Sequence, residues 1–73
     1  MATIEVKSEI AGRVWRLDAA IGERLEEDDP VMTLESMKME IPIAAPQEGR
    51  LAELLVGEGD AVAEGQAVER LEV

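Results

Sequence analysis

Slid against itself by 37 positions, the sequence matches without a gap. Ile4 falls on Ile41, Gly12 on Gly49, Arg13 on Arg50, Leu17 on Leu54 and Gly22 on Gly59. Glu27 falls on Glu64, Val31 on Val68, Leu34 on Leu71 and Glu35 on Glu72. These are nine identities in 36 pairs, far more than the composition alone would give. Val6/Ile43, Val14/Leu51, Glu23/Asp60 and Leu25/Val62 are conservative pairs in the same register. A unit of that size cannot bury a core by itself, so the two halves are expected to share one. Residues 1–73 then form one domain with a pseudo-twofold axis. Lys38 occupies the junction between the halves, and its counterpart is Met1. The two chain ends are expected to lie together, at the pole opposite Lys38.

The pattern within each half is that of short strands. Ile4 and Val6 alternate with Thr3, Glu5 and Lys7, the period of a half-buried strand. Gly12 to Leu17 contains Val14 and Trp15, which favour strand, and Val31 to Glu35 reads as another. Asp28-Asp29-Pro30 is turn chemistry, because Asp bonds nearby backbone and Pro presets φ. Gly12, Gly22, Gly49 and Gly59 are read as structural turn positions. Leu51, Leu54 and Leu55 have helical spacing, but the matching segment of the first half favours strand, and Gly57 and Gly59 close the run early. Pro42, lacking an N–H, places its strand at an edge. The expected fold is all-β, a small barrel or sandwich of antiparallel strands.

Composition removes several functions. The chain has 73 residues, with a core to be built from Val, Leu, Ile, Ala and Met, and little volume for an enclosed substrate pocket. Seven basic against 17 acidic residues give a net charge of −10, which repels a phosphate backbone. Trp15 is the only aromatic residue, so no base-stacking platform exists. There is no Cys and no His, hence no disulfide, thiolate or imidazole chemistry. Glu26, Glu27, Asp28 and Asp29 run consecutively and lack the alternating ligands of a calcium loop. No signal peptide and no membrane span is legible, and the reading is cytoplasmic.

The segment with chemical content is Glu35-Ser36-Met37-Lys38-Met39-Glu40, at the join of the repeats and between two strand-like runs. A lysine at such a hairpin tip is solvated, and its amine can be acylated with loss of charge. Two methionines at an exposed turn need a reason, and recognition by another protein is one. The residues alone leave a second reading open, in which Met37 and Met39 tuck into the core and Lys38 is one of seven surface cations.

Glu-Ser-Met-Lys-Met resembles the attachment motif of biotin carboxyl carrier domains, Ala-Met-Lys-Met or a close variant. The run Gly22 to Glu40, then Ala45-Pro46 with Gly49, then Gly57 to Gly65 and Val68 to Val73, extends the resemblance over nearly the whole chain. It implies a flattened barrel of two four-stranded antiparallel sheets with biotin joined by an amide to Lys38. It also implies a non-catalytic carrier, monomeric in isolation, that shuttles a carboxyl group on biotin between a biotin carboxylase and a carboxyltransferase. A biotin protein ligase would load Lys38, with Met37, Met39 and Glu35 as its candidate contacts. The net negative charge leaves two readings open, weak salt-dependent contact with basic surfaces of the carboxylase, or solubility alone. Ser36 departs from the commoner Ala, Glu27-Asp28-Asp29-Pro30 departs from a frequent Gly-containing turn, and there is no room for the thumb loop of some carriers. The alternatives are a lipoyl domain, which usually carries Asp-Lys-Ala at the tip, a domain that takes either group, and an unmodified acidic interaction module. The acceptor substrate is not written in the residues.

Overall fold

The computed structural model describes residues 2–73. Eight strands follow one another: β1 (Thr3–Lys7), β2 (Gly12–Leu17), β3 (Arg24–Leu25), β4 (Pro30–Ser36), β5 (Met39–Ala44), β6 (Gly49–Leu54), β7 (Ala61–Val62) and β8 (Ala67–Glu72). They form two four-stranded antiparallel sheets, ordered β1-β8-β6-β3 and β5-β4-β2-β7. The fold is all-β, as the sequence implied. Adding 37 to the bounds of β2 and β3 gives those of β6 and β7. The same shift carries one sheet order onto the other. Even the connections repeat: Gly22 N–H donates to Leu51 C=O at 2.7 Å, and Gly59 N–H donates to Val14 C=O at 2.8 Å.

Each sheet takes two strands from each half. The core between them contains Val14, Val31, Met32 and Leu34 from one half and Leu51, Val68 and Leu71 from the other. The Leu51–Leu54 segment is strand, and its helix-like spacing has a local cause. A bulge between Leu51 and Glu53 inserts one residue, so Leu51 and Leu54 face the core together. The same bulge in β2 does this for Val14 and Leu17. Pro42 lies in β5, an edge strand, where a missing N–H breaks no ladder. At the symmetry-related end, Val73 N–H donates to Ala2 C=O at 2.8 Å and Thr3 pairs with Glu72, so the chain ends meet. Met1, the expected counterpart of Lys38, lies outside the described residues.

Two of the four glycines are not in turns. Gly22 and Gly59 are, but Gly12 and Gly49 open β2 and β6. A Cβ on Gly12 would stand 2.8 Å from the carbonyl oxygen of Glu35, and one on Gly49 would stand 2.8 Å from that of Glu72. Glycine is needed there for close approach of strands. The short strands β3 and β7 went unread in the sequence, since two residues give no periodicity.

One buried residue breaks the pattern of the core. Glu69, in β8, is 0% exposed, and neither carboxylate oxygen has a hydrogen-bond partner among the described residues. Its neighbours across the sheet are Val6 and Leu54. Its counterpart 37 positions earlier is Met32, also fully buried. Burial pushes the Glu69 carboxyl up from 4.5 to about 7. Between those values the folded chain holds a proton that the unfolded chain has lost, so stability falls as pH rises through the window and stays low above it. At ~1.4 kcal/mol per unit the penalty is on the order of 3 kcal/mol as an upper bound. Urea unfolding is therefore expected to show a wild-type loss between pH 5 and pH 8 that Glu69→Gln largely removes. Glu69→Met, which copies the other half, is expected to exceed wild type at pH 8. Equal pH dependence in wild type and Glu69→Gln would show that this carboxyl is solvated.

Candidate functional site

The hairpin of β4 and β5 builds the site. The ladder runs from Pro30/Ala44 to a last pair, Ser36/Met39, leaving Met37 and Lys38 as the two-residue loop. Both have positive φ, 52° and 65°, as in a type I′ turn, whose twist matches that of the strands. Such a turn prefers Asn-Gly. Met and Lys in the left-handed region cost on the order of 1 kcal/mol each. The rest of the hairpin imposes the conformation. Val31, Met32 and Leu34 of β4 are buried in the core, Ile43 of β5 packs against it, and β2 clamps β4 from the other side. Gly12 completes the clamp by letting β2 lie close to Glu35 and Ser36 at the base of the turn.

Lys38 is exposed at the tip, and none of the ion pairs among the described residues includes it. Met37 is 92% exposed and Met39 63%, so neither tucks into the core. Glu35 is exposed in β4, paired in register with Arg13 on one side and Glu40 on the other. The structure thus brings Lys38, Met37, Met39 and Glu35 together at one end, with Gly12 beneath them. Gly22, Gly49 and Gly59 belong to other parts of the frame. Glu26 to Asp29 form a turn in which the Asp29 carboxylate accepts from Glu26 N–H at 2.9 Å. No group of three or more His, Cys, Asp or Glu side chains that could hold a metal is found among the described residues. No helix among them is long and apolar enough to cross a membrane.

Chemically the arrangement offers one thing, a primary amine on a flexible stem at a fixed point. It has the access an acylating enzyme needs, and a long acyl chain attached there would extend away from the barrel without displacing core or ladder. The amine lacks the desolvated pocket that activates a lysine for catalysis.

Comparison with known proteins gives a consistent picture. The family model described as "Biotin-requiring enzyme" matches residues 4–71. A biotin/lipoyl attachment protein of Bacillus subtilis is 41% identical over 63 residues, covering 86% of each chain. The crystal structure of Kluyveromyces lactis urea carboxylase superposes with a TM-score of 0.91 at 32% identity, over 97% of this chain and 6% of that one. The lipoyl domain of the 2-oxoglutarate dehydrogenase complex from Azotobacter vinelandii superposes with a TM-score of 0.76 at 26% identity, over 93% of this chain and 94% of that one.

The strained turn makes a stability prediction. Asn tolerates the left-handed region better than Met, so Met37→Asn is expected to raise the unfolding free energy by about 0.5–1 kcal/mol, read from urea midpoints. A fall in stability would mean that the methionine makes favourable contacts at the tip.

Proposed function

Since the chain belongs to the family of biotin- and lipoyl-bearing attachment domains, we propose that it is a carrier that holds biotin covalently on Lys38. The single observation behind this reading is the exposed Lys38 between two exposed methionines, on a turn whose shape the barrel dictates. The coupling is an amide bond. Unprotonated Nζ attacks the activated carboxyl carbon of biotin, the activating group leaves, and Nζ gives up a proton. The formal charge of the chain moves from 7 − 17 = −10 to 6 − 17 = −11. When bound, biotin supplies the chemistry of carrying a carboxyl group. The chain supplies reach and placement. Tethering makes each meeting of arm and active site nearly intramolecular, at effective concentrations of about mM.

The partners follow from this role. A biotin protein ligase loads Lys38, with Met37, Met39 and Glu35 at its contact surface, and a biotin carboxylase and a carboxyltransferase use the loaded arm. The urea carboxylase among the similar structures supports that setting. Met on both sides of Lys38 favours biotin over lipoate, whose domains usually carry Asp-Lys-Ala at this turn. The sequence contains neither His nor Cys, in keeping with a carrier that leaves catalysis to others.

Lys38→Arg is expected to abolish incorporation of biotin by a ligase with ATP, read by streptavidin blot, while leaving the urea midpoint unchanged. Mass spectrometry of the wild-type chain from its native host is expected to show biotin on Lys38; lipoate there would replace the reading. The double variant Met37→Leu, Met39→Leu is expected to be biotinylated several-fold more slowly. A wild-type rate would show that the thioethers are dispensable.

A further inference from the structure

The repeat supplies an internal control. Positions 37 apart share a backbone environment, so a side chain whose counterpart has a different character is not required by that environment. On the outer face of the β1-β8-β6-β3 sheet, Arg70 bridges three strands, donating to Glu53 at 2.5 Å and to Glu5 at 3.2 Å. The equivalent row on the hairpin's own sheet is Arg16, Thr33 and Pro42. There Arg16 pairs with Asp18 at 2.6 Å, and the Thr33 hydroxyl donates to the same carboxylate at 2.8 Å.

The largest difference sits at the bulge. In β6 the inserted residue is Ala52; in β2 it is Trp15. Ala52 shows that the bulge closes without an aromatic ring, yet Trp15 stands 45% exposed with the Arg16 Cζ 4.7 Å from its ring centroid. An exposed Trp pre-stacked by an Arg is the composition of an interface anchor, large in area and low in entropy to fix. A second difference lies between Trp15 and the hairpin tip. Glu35 and Glu40 face each other across β4 and β5, a like-charge pair that weakens a sheet. Their counterparts are Glu72 and Thr3, which carry one charge.

We propose that this outer face, anchored by Trp15, is the seat of the enzyme that acylates Lys38. The complementary surface is an apolar cleft that takes the indole, edged by cationic side chains that meet Glu35 and Glu40. The proposal rests on the reading of Lys38 as a carrier lysine. Trp15 lies beside the Leu34–Thr33 step of β4, some four residues from Lys38 along the strand, roughly 13 Å at ~3.3 Å per residue. An interface of about 800 Å² per partner spans roughly 30 Å, so a footprint centred on the turn includes it.

The test uses the unmodified full chain with the biotin protein ligase of the same host, biotin and ATP. Trp15→Ala is expected to raise KM for the chain by about tenfold or more, with kcat within about twofold and the urea midpoint unchanged. Glu53→Ala, on the opposite face, is expected to leave KM unaltered. Since Trp15 is the sole aromatic residue, 5-fluorotryptophan labelling places one ¹⁹F resonance at the anchor. It is expected to shift or broaden when unlabelled ligase is added, in wild type and in Lys38→Arg alike. Equal KM for wild type and Trp15→Ala overturns the docking surface and leaves the carrier reading standing. Failure of wild type to take up biotin overturns the carrier reading itself. Dimerisation that Trp15→Ala abolishes, seen by sedimentation, assigns the patch to a second copy and overturns the proposal.

Discussion

The structure depends on two halves burying one core that neither can bury alone. Each half lends two strands to each sheet, so the hydrogen-bond ladders and the apolar layer both cross the repeat boundary. Apolar burial is roughly proportional to area removed from water, and a chain this small has little of it to spare. Interlocking the halves makes all of it common property. A change in either half is then felt in both sheets, which is the physical content of the repeat.

The same symmetry sets the place of the lysine. The axis carries the β4–β5 hairpin onto the region where β8 ends and β1 begins. One of these equivalent positions is closed by a two-residue turn and the other holds the chain ends, joined there by the hydrogen bond from Val73 to Ala2. The closed one presents a covalently continuous tip, Met37 and Lys38. Lys38 stands there because the chain has to cross from one half to the other at that point.

Fold class and the exposed hairpin tip at Lys38 were legible because both are written in periodic or motif-like signals: alternation at Ile4 and Val6, matched glycines, and Met-Lys-Met at the join. What escaped is what periodicity cannot carry. Gly12 and Gly49 read as turn residues because glycine is so often one, whereas here a neighbouring carbonyl oxygen excludes a Cβ. Leu51 and Leu54 kept helical spacing because a bulge moves both to one face. The turn at Met37 and Lys38 has none of the expected turn chemistry, since the ladder and not the loop dictates its shape. Glu69 and Trp15 carried a signal of another kind. Each is paired by the repeat with a residue of different character, Met32 and Ala52, and the mismatch is visible only after the symmetry has been taken seriously.

Those mismatches and the strained turn share a logic. The left-handed backbone at the tip destabilises the fold by a fixed amount, and the long ladder carries that cost whether or not a partner is present. The turn is therefore in its working shape before any encounter, and recognition spends nothing on ordering it. The flexible part is confined to the lysine stem and whatever it bears. On the proposed carrier reading, a stiff base with a mobile arm would separate two demands that conflict in a loop: a ligase would need one shape to read, and a carried group would need many positions to visit. The barrel answers the first demand with its core, and Lys38 answers the second with four methylenes.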